Sequence, residues 1–240
     1  MSKTTKRLSL TNGSEENPIV DVVNRRFFLR SAGLAAATGA FVMQSCIKDH
    51  DLAPGGGVAV NLGTGDIGIL NYAYALEQLE AAFYTQVIAT PYTGMNDKER
   101  RLLTDIRDHE IIHREFFKAA IGAAAIKGLT PNFTSIDFSS RDIVLQTAKI
   151  FEDTGVSAYN GAGILLENPT FLLLAGKIVS VEARHAAIIR DFLRPNDPFF
   201  AGDDIIDGNG LGLLKRPSEV LPAVAPFIYD NIDASGLPKP

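Results

Sequence analysis

Two Glu-x-x-His pairs, Glu110 with His113 and Glu182 with His185, sit inside stretches of helical periodicity and limit what this chain can fold into. Residues three apart share one face of a helix, so each pair aims a carboxylate and an imidazole in the same direction. Phe171, Ala175, Ile178, Ile189 and Phe192 continue the stripe on which Glu182 and His185 lie, and Leu103, Ile106, Phe117 and Ala120 do the same for Glu110 and His113. Both pairs therefore interrupt apolar faces that a fold must bury. Two further predicted helices carry Glu77 and Glu152 at matching points of their own apolar faces. Four buried, unpartnered carboxylates would cost more than a domain can spare. The arrangement that satisfies them is an all-α four-helix bundle whose inward faces share two divalent cations, and carboxylate plus imidazole suits iron, with manganese as the alternative.

Coincidence is a weak account of the pattern. Glu occupies 11 of 240 positions, so a given His has about a 5% chance of a Glu three residues before it, and two of the four His have one. The chain also repeats itself. Leu76-Glu77 leads to Tyr84 and Phe151-Glu152 leads to Tyr159, each Tyr seven residues after its Glu, and each segment is followed by its own Glu-x-x-His helix. Glu152 follows Glu77 by 75 residues and Glu182 follows Glu110 by 72, a difference that a loop absorbs. Two helical hairpins facing each other across a pseudo-twofold axis are expected. Glu80, one turn after Glu77, stands as an extra ligand, a hydrogen-bonding partner or the ligand in place of Glu77; the spacing to Tyr84 favours Glu77.

The segments from Leu76 through Glu80 to Tyr84 and from Glu152 through Gly155 to Tyr159 resemble the first and third helices of the ferritin-like superfamily, specifically exported proteins of the desiccation-associated group. The likeness covers about residues 66–193. It implies a crossover between helices two and three, bridging roles for Glu110 and Glu182, terminal carboxylates at Glu77 and Glu152, and a metal each for His113 and His185. It also places Tyr84 and Tyr159 near the metals.

Asn24-Arg25-Arg26-Phe27-Phe28-Leu29-Arg30 precedes an Ala- and Gly-rich apolar stretch over 31–45, which resembles a twin-arginine export signal and is too short to span a membrane. Cys46, the only cysteine, follows Met43-Gln44-Ser45 at the point where a lipoprotein would be cut and acylated. Ordinary signal-peptidase cleavage is the alternative, since Met and Gln match a lipobox poorly. Periplasmic or envelope localisation follows from either. Residues 1–45 are thus read as signal, 46–65 as a flexible Gly- and Asp-rich tether, 66–193 as the bundle, and 194–240 as an irregular extension with one short helix over 217–228. The second helix is expected to run to about Gly128 and the third to Leu166. Gly155, Gly161 and Gly163 in the third helix are read as close-packing points. His109, four residues before His113, is read as a surface residue paired with Asp105, with a hydrogen-bonding donor behind a metal ligand as the alternative.

The net charge of −5 and the lack of a basic run beyond the leader give no support for nucleic-acid binding, and that class is set aside. Expected partners are metal ions, oxygen or peroxide, an external electron donor, and a second copy in a homodimer. The expected function is iron or reactive-oxygen redox chemistry such as ferroxidase or peroxide removal. A non-catalytic metal-binding or stress-protective envelope protein is the alternative.

Overall fold

A computed structural model describes residues 59–239. The expected leader, Cys46, His50 and most of the tether lie outside these residues.

Four long helices make the body of the fold: α1 (Gly65–Ala89), α2 (Asp97–Ile121), α3 (Arg141–Gly163) and α4 (Pro169–Leu193). The all-α bundle expected from the sequence is what forms. Helix α1 packs along α2 and α3 along α4, giving two hairpins that meet chiefly through α1 and α3. Local chemistry sets the starts. Asn96 and Glu99 cap α2 reciprocally, the Glu99 N–H donating to Asn96 Oδ1 at 3.0 Å and the Asn96 N–H to Glu99 Oε2 at 3.2 Å. Asn168 accepts from the Thr170 N–H at 2.8 Å, and Pro169 opens α4 with a φ already suited to a helix.

Two ends fall earlier than the periodicity suggests. Helix α2 stops at Ile121 rather than near Gly128, because Gly122 adopts φ 62° and turns the chain out of the helix. Helix α3 stops at Gly163 rather than Leu166. The crossover from α2 to α3 then runs along α1, whose buried amides replace the backbone partners that a helix would have supplied. Asn71 accepts from the Ile126 N–H at 2.9 Å and donates to the Leu62 and Ala124 carbonyls at 3.0 Å each. Gln78 accepts from the Leu129 N–H at 2.8 Å.

The extension is part of the fold. Helix α5 (Pro217–Val224) is shorter than expected, with a single 3₁₀ turn after it, and buries Val220 and Val224 against the bundle. Strand β2 (Ile232–Asp233) pairs in parallel with β1 (Val60–Asn61), and Leu62 is fully buried. The last residues assigned to the tether therefore belong to the domain. Elsewhere the Arg190 guanidinium, removed from solvent, donates to Asp153 of α3 and to Asp204 of the extension at 2.8–2.9 Å. This ties the extension to both helices of the second hairpin. No helix among the described residues is long and apolar enough to cross a membrane.

Candidate metal centre

Each of the four long helices delivers its acidic residue to one point in the bundle. Glu77 from α1, Glu110 from α2, Glu152 from α3 and Glu182 from α4 are all 0% exposed. His113 and His185 are buried with them. The contacts repeat across the pseudo-twofold axis. His113 Nδ1 lies 2.8 Å from Glu182 Oε1, 3.5 Å from Glu77 Oε2 and 3.7 Å from Glu110 Oε2. His185 Nδ1 lies 2.8 Å from Glu110 Oε1, 3.7 Å from Glu152 Oε2 and 3.6 Å from Glu182 Oε2. Each imidazole thus faces the carboxylate on the other pair's helix most closely.

Two groups of donors result, Glu77, Glu110, His113 and Glu182 in one and Glu110, Glu152, Glu182 and His185 in the other, with the atoms of each within 4.8 Å of one another. Glu110 and Glu182 belong to both. The remaining oxygens are tied back by tyrosines exchanged between hairpins. Tyr84 of α1 donates to Glu152 Oε1 of α3 at 2.5 Å, and Tyr159 of α3 donates to Glu77 Oε1 of α1. Burial and the neighbouring carboxylates push both phenols well above their ordinary range, which keeps them as O–H donors.

The donor set fits a cation on the evidence of its unpaired atoms. Glu77 Oε2, Glu152 Oε2, both oxygens of Glu110 and of Glu182, and the Nδ1 atoms of His113 and His185 are buried and have no hydrogen-bond partner. The 2.8 Å histidine contacts are close without the geometry of a hydrogen bond. Eight orphaned donors turned toward one another are very costly unless positive charge stands among them. Without metal that charge must come from protons. Burial drives Glu77 and Glu152 well above the carboxylate range. His113 is raised by contacts with Glu110, Glu182 and Glu77 that outweigh the opposing effect of burial. Burial also works against His185, yet Glu152 and Glu110 push it up to about 11. Glu110 goes the other way: burial raises it, but contacts with His113 and His185 prevail and hold it at about 2.

Glu80 is buried too, with Oε2 unpartnered, but stands outside both donor groups. Burial and then the charges of Glu110 and Glu182 raise it well above its ordinary value. His109 is exposed, as the sequence suggests, but it also has a partner on another helix. Its Nδ1 lies 2.9 Å from His185 Nε2. The sequence offered only its four-residue spacing to His113; that the partner is His185 emerges where α2 brings position 109 against α4.

A helical bundle closed around a buried cluster of carboxylates and imidazoles that could hold a metal ion defines a class of metal-binding bundle proteins. Residues 65–195, more than half of the chain, match the ferritin-like domain, and the protein belongs to that family. No curated protein matches the sequence.

Proposed function

We propose that the protein holds two metal ions, iron before manganese, in a carboxylate-bridged centre and uses them in iron or reactive-oxygen redox chemistry such as ferroxidase activity or peroxide removal. The observation that carries this reading is the sharing of Glu110 and Glu182 between two otherwise separate donor groups. Glu77 and His113 would complete one position, Glu152 and His185 the other. Two ferrous ions would supply one electron each to a peroxide, which with two protons leaves as two waters.

The chain contributes confinement and fixed geometry. Tyr84 and Tyr159 hold one oxygen of each terminal carboxylate, so that Oε2 of Glu152 and of Glu77 is the free donor. The complete burial of the four carboxylates keeps bulk water from competing for them. With Cys46 as its only cysteine the chain has no cysteine cluster of its own, so reducing equivalents would come from an external donor. Export through the twin-arginine route, with a lipid on Cys46, belongs to the same proposal; Arg25→Lys with Arg26→Lys should leave the protein in the cytoplasm.

The test is metal content of the purified full chain, loaded with ferrous iron without oxygen, followed by exposure to oxygen or peroxide. About two ions per chain, oxidised on exposure, support the reading. Ions bound without oxidation would favour the non-catalytic, protective role, and absence of metal would overturn the centre.

A further inference from the structure

The pseudo-twofold repeat is broken next to the histidines. Glu110 corresponds to Glu182 and His113 to His185, so the residue before each glutamate should correspond as well. On α2 that residue is His109, and on α4 it is Val181. His109 has an imidazole to offer across the hairpin interface, whereas a valine has no polar side-chain atom.

The geometry shows what His109 does with it. His109 Nδ1 and His185 Nε2 are 2.9 Å apart, the rings are within 12° of coplanar orientation, and their centres are 5.2 Å apart. That separation is the span of two imidazoles joined edge to edge; rings stacked face to face would be much closer. His185 turns Nδ1 toward the carboxylates, so Nε2 is the nitrogen that must carry the hydrogen whenever Nδ1 acts as a ligand, and His109 Nδ1 is placed to accept it. Such a partner fixes the tautomer and the rotation of a ligand ring and strengthens it as a donor. Among the described residues none gives His113 Nε2 a hydrogen bond.

We infer that His109 is a positioning residue for His185, and that it makes the two metal positions unequal, the one completed by Glu152 and His185 binding more tightly than the one completed by Glu77 and His113. This rests on the dinuclear reading above. It gives the otherwise symmetric centre an order of filling, so that a resident ion and an exchangeable one would occupy distinct places.

The experiment is an oxygen-free titration of the full chain with Mn²⁺ alone, followed by calorimetry and by the electron paramagnetic resonance of the bound ion. The wild type should take up Mn²⁺ in two resolved steps. His109→Val, which copies the residue of the other half, should weaken the tighter step by about 10–100-fold and bring the two steps together. His109→Asn, whose side-chain oxygen can still accept from His185 Nε2, should restore most of the separation. Val181→His should tighten the weaker step. His109 is exposed enough that the metal-free melting temperature should be unchanged in both His109 variants, a result that separates ligand positioning from general stabilisation. Two resolved steps that His109→Val leaves untouched would overturn this assignment while the dinuclear centre stands. A wild type that binds no Mn²⁺ and no Fe²⁺ would overturn the centre, and this inference with it.

Discussion

Glu80 and Gly155 stand at equivalent places in the two halves of the bundle, and the carboxyl group of the first fills the space that a side chain on the second would need. A Cβ added at Gly155 would come within 3.0 Å of Glu80 Oε1. Where two helices meet near a twofold axis there is room for one side chain and not for its symmetry mate. Gly155 is therefore the residue that allows α1 to carry a buried acid beside the candidate metal ligands.

The pair can be separated by a double-mutant cycle. Alone, Gly155→Ala gains up to about 1 kcal/mol from helix propensity but must push back the buried Glu80 carboxyl group, which has little room to yield, at an overpacking cost of about 1–3 kcal/mol. Net destabilisation is expected in the wild-type background. After Glu80→Ala the same change should be stabilising, giving a coupling of at least about 1 kcal/mol in urea denaturation. Equal effects in the two backgrounds would show that Glu80 does not occupy the glycine's space.

Replacing Tyr84 or Tyr159 by Phe tests the exchange of hydrogen bonds between hairpins. Each change leaves a second buried oxygen of a terminal carboxylate without a partner, at a cost of about 1–3 kcal/mol to the metal-free fold. Metal affinity should fall as the carboxylate loses its orientation, by about 10–100-fold. The pseudo-symmetry makes the two variants near equals. A large loss for Tyr84→Phe beside none for Tyr159→Phe, read by calorimetry with Mn²⁺, would contradict the reciprocal arrangement.

The bridging residues and the terminal ones should differ in stoichiometry. Glu182→Ala removes a donor from both groups and should abolish binding of both ions, while His113→Ala should spare the ion completed by Glu152 and His185. Metal analysis of the dialysed proteins distinguishes the two, and identical losses would argue against two separable positions.

The bundle and its inward-facing residues were legible in the sequence because their signals are local: the three-residue spacing of Glu110 and His113, the seven-residue step from Glu77 to Tyr84, and the apolar stripe that each interrupts. What stayed hidden depends on distant partners. Val60 and Asn61 read as tether because nothing near them says that Ile232 and Asp233 will lie alongside, and Asn61 donates to an Asp233 carboxylate 172 residues away. His109 is the surface residue it reads as, but its contact with His185 was hidden because that partner is on another helix. Gly163, taken as a packing point like its neighbours, would bring an added Cβ only into ordinary contact with Leu172 at 3.5 Å. Glycine content marks freedom of packing without saying where another chain segment will use it.

Gly161 shows such a use. The Lys215 carbonyl of the extension occupies the place of its missing side chain, 1.9 Å from where a Cβ would stand, while the Lys215 N–H donates to the Ser157 carbonyl at 2.8 Å and Asn160 donates to the Leu213 carbonyl at 2.9 Å. An alanine there cannot be accommodated by side-chain adjustment, because the obstacle is backbone. Gly161→Ala should detach residues 211–216, cost about 3 kcal/mol through overpacking and lost hydrogen bonds, and open that segment to proteolysis. Unchanged stability and protection would mean that the extension is not seated against α3.

The sign of the pH dependence should reverse when metal is added. In the metal-free protein Glu77, Glu152, His113 and His185 bind protons more tightly folded than unfolded, so their stabilisation is complete below their unfolded values and is lost as pH rises through the folded ones. For His185 that window runs from 6.5 to about 11. Glu110 behaves oppositely, its contribution being present above 4.5 and lost as pH falls toward about 2. Stability of the metal-free fold should therefore peak on the weakly acidic side and decline above neutrality, by about 1.4 kcal/mol per pH unit for each proton released. Metal ions displace these protons, so the increment in stability they bring should grow with pH. Denaturant midpoints between pH 5 and 9, with chelator and with saturating Mn²⁺, give both curves. A metal-free protein that grows more stable from pH 6.5 to pH 9 would show that its buried cluster is not held together by protons.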